Sequence, residues 1–129
     1  VVRRYLETLP EGRMSWLAGL RDPYVGRALT ALHEFPARDW TIESLAQEAA
    51  LSRSAFAQRF VEFVGQPPMQ YLANWRMQLA TSYLRNGTES IAAVANRVGY
   101  DSEAAFSRAF KKSVGAPPSE WRVQHVHAA

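Results

Sequence analysis

No cysteine occurs among the 129 residues, which removes disulfides, thiolate metal sites and cysteine nucleophiles and makes an intracellular, cytoplasmic setting the natural expectation. No apolar run approaches the roughly 20 residues of a membrane span, and residues 1–10 lack the apolar middle of a signal peptide, so no membrane partner is expected. Sustained polar–apolar alternation between hairpin signals is also missing, which leaves strands without support. Histidine is scarce. His33 falls within a helical pattern, where it reads as an ordinary boundary residue, and His125-x-His127 supplies two ligands, too few for a metal site. With neither metal, cofactor nor nucleophile in view, the chain is not expected to be an enzyme. It begins with Val rather than Met, and "VVRRYLETLPEGRM" has no strong pattern, so residues 1–21 are expected to be a linker or the remnant of a preceding domain lying N-terminal to this piece.

What is present fits one ordinary domain or two small subdomains: 47% of the residues are apolar, enough for a sizeable core. The net charge of +3 is unevenly placed, since residues 1–64 carry eight Arg against eight Asp/Glu, whereas residues 65–129 carry seven Lys/Arg against four Asp/Glu. Thirteen of the fifteen basic residues are Arg, whose fork suits phosphate and guanine, although a codon bias toward Arg would give the same count.

Helical periodicity runs through almost every segment, so the chain reads as all-α. Asp22-Pro23 predicts a cap and first residue for a helix with Val25, Ala28, Leu29, Leu32 and Phe35 on one face, ending near Pro36. Thr41 caps a short helix with Ile42, Leu45, Ala46 and Ala49 inward, and Ser52 caps the next, with Phe56, Phe60, Phe63 and Val64 as its buried stripe. Gly65 and Pro67-Pro68 stop that helix and start a long one, which Asn86-Gly87 closes. The pattern then restarts. Thr88 or Ser90 caps a short helix carrying Ile91, Val94, Ala95 and Val98, Gly99-Tyr100 makes a turn, Asp101 caps a longer helix, and Gly115 with Pro117-Pro118 ends it.

This restart is an internal repeat. Ile42, Leu45 and Ala46 match Ile91, Val94 and Ala95 at a spacing of 49, and after one extra residue in the turn the spacing becomes 50. Ala55, Phe56, Phe60, Val64, Gly65, Pro67 and Pro68 then recur as Ala105, Phe106, Phe110, Val114, Gly115, Pro117 and Pro118. Each unit is a short helix, a tight turn and a longer helix, that is, a helix-turn-helix: the first over about 41–65, the second over about 90–115, with a linker helix over about 67–86 between them. A rigid linker of about 25 Å would let the two second helices lie about one turn of B-DNA (~34 Å) apart on one face of a duplex.

With the phenylalanines inward, Ser54, Ala57, Gln58 and Val61 turn outward on the first of these helices, with Arg53, Arg59 and Glu62 at its start and flanks. Ala104, Ser107, Arg108 and Lys111 turn outward on the second, with Glu103 at its start and Lys112 at the flank. Arg108 matches guanine O6 and N7, and Gln58, at the equivalent place, matches adenine N6 and N7. Lys111, Lys112, Arg53 and Arg59 suit phosphates, as do the helix starts at Thr41, Ser52 and Ser90. Glu103 either accepts from cytosine N4 or restrains a neighbouring cation. The competing reading is a solvated face on a helical module that binds protein and not DNA.

"IAAVANRVGYDSEAAFSRAFKKSVGAPPSEWR", residues 91–122, resembles the signature of the AraC/XylS family of bacterial transcription regulators. "WTIESLAQEAALSRSAFAQRFVEFVGQPPMQYLANWRMQLATSYL", residues 40–84, is similar to the first half of the same DNA-binding domain, so the resemblance covers about residues 22–122 and leaves 123–129 as a tail. It implies seven helices, with two recognition helices in successive major grooves of double-stranded promoter DNA. Carried over by position, the base-reading places are Ser54, Ala57 and Gln58 in the first unit and Glu103, Ala104, Ser107 and Arg108 in the second. Ala57 and Ala104 depart from better-equipped members, offering only apolar contact to a thymine methyl. The resemblance also implies RNA polymerase as a partner, and a small-molecule effector, if any, bound by a domain outside this chain. The stretch "GRMSWLAGLRDPYVGRAL" resembles a subgroup in which that domain is often cupin-like.

Overall fold

The computed structural model describes residues 19–126, within which seven helices provide the regular structure: α1 (Pro23–Glu34), α2 (Ile42–Ala49), α3 (Arg53–Val64), α4 (Pro68–Asn86), α5 (Ile91–Arg97), α6 (Glu103–Val114) and α7 (Pro118–His125). The all-α, double helix-turn-helix expectation is met. Of the flanking segments expected at 1–21 and 123–129, residues 1–18 and 127–129 lie outside the described residues, and so do the start of the stretch likened to the cupin-bearing subgroup and His127. Two compact units divide the chain. Among the described residues, the first holds those up to Phe35 together with Trp40–Tyr71, and the second holds Pro36–Asp39 and those from Leu72 on.

In the first unit the Asp22 carboxylate accepts the Val25 N–H at 3.0 Å, and Pro23 sits in the first turn of α1, where its missing N–H costs nothing. Val25, Ala28, Leu29 and Leu32 are buried as expected. Phe35 is not: it lies past the last helical turn and is 48% exposed, while its carbonyl accepts from Trp40 Nε1 at 2.8 Å. Trp40 is the aromatic that fills this corner. Thr41 and Ser44 form a reciprocal capping box at the start of α2. On α3, Phe56, Phe60 and Val64 are fully buried, but Phe63 is only half-buried and faces the Arg59 guanidinium at 5.7 Å.

In the second unit Ser90, not Thr88, caps α5 by accepting the Ala93 N–H at 3.0 Å. Asp101 was expected to cap α6 and does not; Ser102 Oγ accepts the Ala105 N–H at 3.0 Å instead. The extra turn residue falls before the serine, so Ser102 holds the place of Ser52, whose Oγ accepts from Ala55 N–H at 3.2 Å, and Asp101 is left exposed in the turn. Gly65 and Gly115 end α3 and α6 in the left-handed region, at φ 91° and 100°. The same region recurs in the turns: Gly99 has φ 97°, whereas its counterpart Ala50 has φ 59° despite its Cβ.

The repeat extends further than the two helix pairs. Tyr71 and Trp121, again 50 apart, pack edge-on against Phe60 and Phe110, each with centroids 5.8 Å apart. At a spacing of 52, Val25, Ala28 and Leu32 of α1 correspond to Met77, Ala80 and Leu84 of α4, and all six are buried. Even the neighbours correspond, since His33 stacks on Tyr71 and Arg85 lies over the Trp121 ring at 5.6 Å. The repeating body is therefore three helices closed by an aromatic from the next.

Candidate nucleic-acid interface

Within each unit the burial of one helical stripe decides what the other side presents. Phe56 and Phe60 meet at 5.6 Å, and Phe106 and Phe110 at 5.7 Å, all four with no exposed surface. Each such ring is worth about 1.5–3 kcal/mol on burial, which fixes the rotation of α3 and α6 against their units. The opposite sides follow from that rotation. On α3, Ser54, Gln58 and Val61 are exposed and Ala57 is half-exposed; on α6, Glu103, Ala104, Arg108, Lys111 and Lys112 are exposed and Ser107 is half-exposed.

The cations of the two faces differ in what holds them. Arg59, expected at a phosphate, is instead forked onto Asp22: Nε and Nη2 each donate to a carboxylate oxygen at 2.8 Å. The carboxylate is buried, the guanidinium also lies 5.2 Å from the Tyr24 ring, and the bidentate geometry is the strong form of such a pair. Arg59's bonds hold the Asp22 carboxyl below its ordinary range against the opposing push of burial, with the Val25 N–H helping. The pairing has a physical reason: Arg59 points off the flank of α3 toward the start of α1. Arg53 opposes Glu43 of α2 at 2.9 Å, with both side chains largely exposed, a pairing weak enough to exchange for a phosphate. On α6, by contrast, the side chains of Arg108, Lys111 and Lys112 form no hydrogen bond or ion pair among the described residues.

The helix starts are ordered around these faces. Thr41, Ser52 and Ser90 use their hydroxyl oxygens as caps, accepting from the N–H of Ser44, Ala55 and Ala93. Each hydroxyl proton is a further donor, although that of Thr41 is already directed at Ser44 Oγ, 3.2 Å away. Arg122 of α7 secures the approach to α5 by donating to the Leu84 carbonyl at 3.0 Å and the Glu89 carbonyl at 2.5 Å. Arg76 of α4 does the same for the loop 36–39, donating to the carbonyls of Pro36 and Arg38 at 2.9 and 3.0 Å. Burial lowers the Arg76 pKa and raises that of Tyr100, whose ring lies 5.9 Å from the guanidinium. Gly99 belongs to this corner, because a Cβ there would come within 3.0 Å of both Ala37 Cα and the guanidinium.

His33 and His125 each stack on an aromatic ring. His33 Nε2 and Tyr71 Oη share a hydrogen bond of 2.7 Å, and His125 stacks on Trp121 while its Nδ1 pairs with the Trp121 carbonyl at 2.8 Å. Among the described residues no three His, Cys, Asp or Glu side chains gather as metal ligands, and no helix is long and apolar enough to cross a membrane. The Asp22–Arg59 clasp and the carbonyl-gripping Arg76 and Arg122 have no sequence signal, being pairs 33 to 40 residues apart. The Tyr71–Trp121 equivalence had one, in the Pro-Pro-x-x-aromatic spacing.

A family described as a helix-turn-helix domain matches residues 45–124. An AraC-like transcription regulator of Streptomyces lividans is 51% identical over 122 residues, which is 95% of this chain and 40% of that protein. The chain spans about two fifths of the length of the curated relatives it matches first. Among solved structures, the C-terminal domain of AraT, a response regulator from Geobacillus stearothermophilus, is 30% identical with a TM-score of 0.79, covering 83% of this chain and 89% of that one. The DNA-binding domain of AdpA, a global transcriptional factor, in complex with a target DNA, is 29% identical with a TM-score of 0.76, covering 80% and 92%.

Proposed function

Because the chain belongs to the AraC/XylS family of helix-turn-helix DNA-binding domains, we propose that it binds promoter DNA sequence-specifically in the cytoplasm, with α3 and α6 entering successive major grooves. The family is one of transcription regulators and not of enzymes. The observation that carries the proposal is the duplication itself: two units, each with a helix rotated by a pair of buried phenylalanines so that small and hydrogen-bonding side chains face outward. Ser54, Ala57 and Gln58 on α3, and Glu103, Ala104, Ser107 and Arg108 on α6, are the proposed base readers. Lys111, Lys112 and Arg53 take phosphates, joined by the hydroxyls of Ser52 and Ser90 and the start of α2 after Thr41. For the whole regulator the same reading extends to contact with RNA polymerase and to control by a small-molecule effector bound outside this chain, which the family assignment supports.

Footprinting on DNA selected from a random pool tests this. One chain should protect two major-groove segments about 10 base pairs apart within an asymmetric site, with affinity falling steeply as salt rises. A palindromic site that needs two chains would contradict it, and so would binding indifferent to salt, the behaviour of a protein-binding helical module.

A further inference from the structure

The two outward faces differ in kind. Ser54, Ala57, Gln58 and Val61 fall within an arc of about 100° on α3, with Val61 near its middle. Val61 is 44% exposed, a large apolar side chain held out on the side of α3 away from Phe56 and Phe60. Neither arginine of α3 falls on this arc, and Arg59 is forked onto Asp22 while Arg53 meets Glu43. The same four places on α6 are Ala104, Ser107, Arg108 and Lys111, so Val61 stands where the second unit has an unengaged lysine.

A valine beside an alanine has one feature to match on base edges in the major groove, the C5 methyl of thymine. Gln58, on the same arc, suits the N6 and N7 of adenine, so both side chains select A·T pairs. We propose that Val61 is the specificity-determining residue of the first unit: it docks on thymine methyl groups, so that the half-site under α3 is A·T-rich while the half-site under α6 is chosen through guanine by Arg108. This rests on the DNA-binding reading above and adds to it a chemical division between the halves.

The test replaces thymine by deoxyuracil, which removes only the methyl, one half-site at a time in the site selected by the whole chain. The α6 half is identified first, as the one whose guanine preference Arg108→Ala relaxes. Deoxyuracil in the other half should weaken binding about fourfold per methyl covered, the factor for burying one methyl group, and should cost at most one such factor under α6, where Ala104 is the only apolar reader. Val61→Ser should lose most of the discrimination between thymine and deoxyuracil sites. Val61→Lys, which copies the α6 residue, should also lose the discrimination while binding both more tightly. Unchanged affinity on deoxyuracil, or discrimination that survives in both variants, overturns the assignment of Val61. A random pool from which no sequence is enriched overturns the DNA-binding reading itself and this inference with it.

Discussion

Asp22 serves three donors at once, the Val25 N–H and two arms of Arg59, and so ties the start of α1 to α3. Its carboxyl pKa is lowered in the folded chain, principally by the Arg59 hydrogen bonds. The stability it contributes is therefore fully present above the unfolded carboxyl value of about 3.9 and is lost as pH falls through the lower folded value. Asp22→Asn should lower the melting temperature at neutral pH, by the equivalent of about 1–2 kcal/mol once the half-exposure of Arg59 is discounted. The gap to the parent chain should close as melts are repeated from pH 4 downward; a gap constant with pH would mean that packing, not charge, is at work. Arg108 and Lys111 are both exposed on α6, yet they should separate by role. Arg108→Ala should cost about 1–3 kcal/mol on the selected site and relax one guanine, whereas Lys111→Ala should weaken good and poor sites equally, as titrations on both DNAs would show. If Arg108→Ala weakened both sites equally, Arg108 would be a phosphate clamp.

At the scale of elements, the turn between α2 and α3 holds Ala50 at φ 59°, where its counterpart Gly99 has no Cβ to strain. An L-residue in that region costs about 1–2 kcal/mol, partly offset by the lower unfolded-state entropy of alanine, so Ala50→Gly should raise the melting temperature by about 2–4 °C without changing DNA affinity. Phe106→Ala should do the opposite. Removing a fully buried ring costs about 3–5 kcal/mol, and loss of binding should come with loss of helical signal in the melt rather than with a folded, non-binding chain. Helix order, both Gly-x-Pro-Pro exits and most inward residues were legible because apolar spacing and left-handed glycines are local properties. The errors were local too: Asp101 and Ser102 are adjacent capping residue types, and only the counterpart Ser52 distinguishes them. Phe35 and Phe63 were placed inward by type, although each lies where its stripe has already turned toward solvent.

Over the whole molecule, composition located the excess positive charge in the second half, and the structure divides it further. Replacing Lys111 and Lys112 together should lower the salt slope of binding by about two, whereas replacing Arg53 and Arg59 together should lower it by at most about one, because the Arg59 fork has an internal partner. Equal changes from the two double variants would mean that Asp22 yields its arginine to DNA. Which arginines are engaged was not legible, because those partners lie far away in sequence and only the fold brings them together. The closing of the first unit by Tyr71 also bears on how the chain is made. Once Tyr71 and its neighbours have been synthesised, the rings of His33, Phe56, Phe60 and Tyr71 are all present, while the loop 36–39 waits for Arg76 and Gly99. The ribosome needs about 3–10 s for the next 50 residues, while helical units rich in local contacts fold in microseconds to milliseconds. The first half thus has many folding times in which to assemble before its near-duplicate is available to mispair with it.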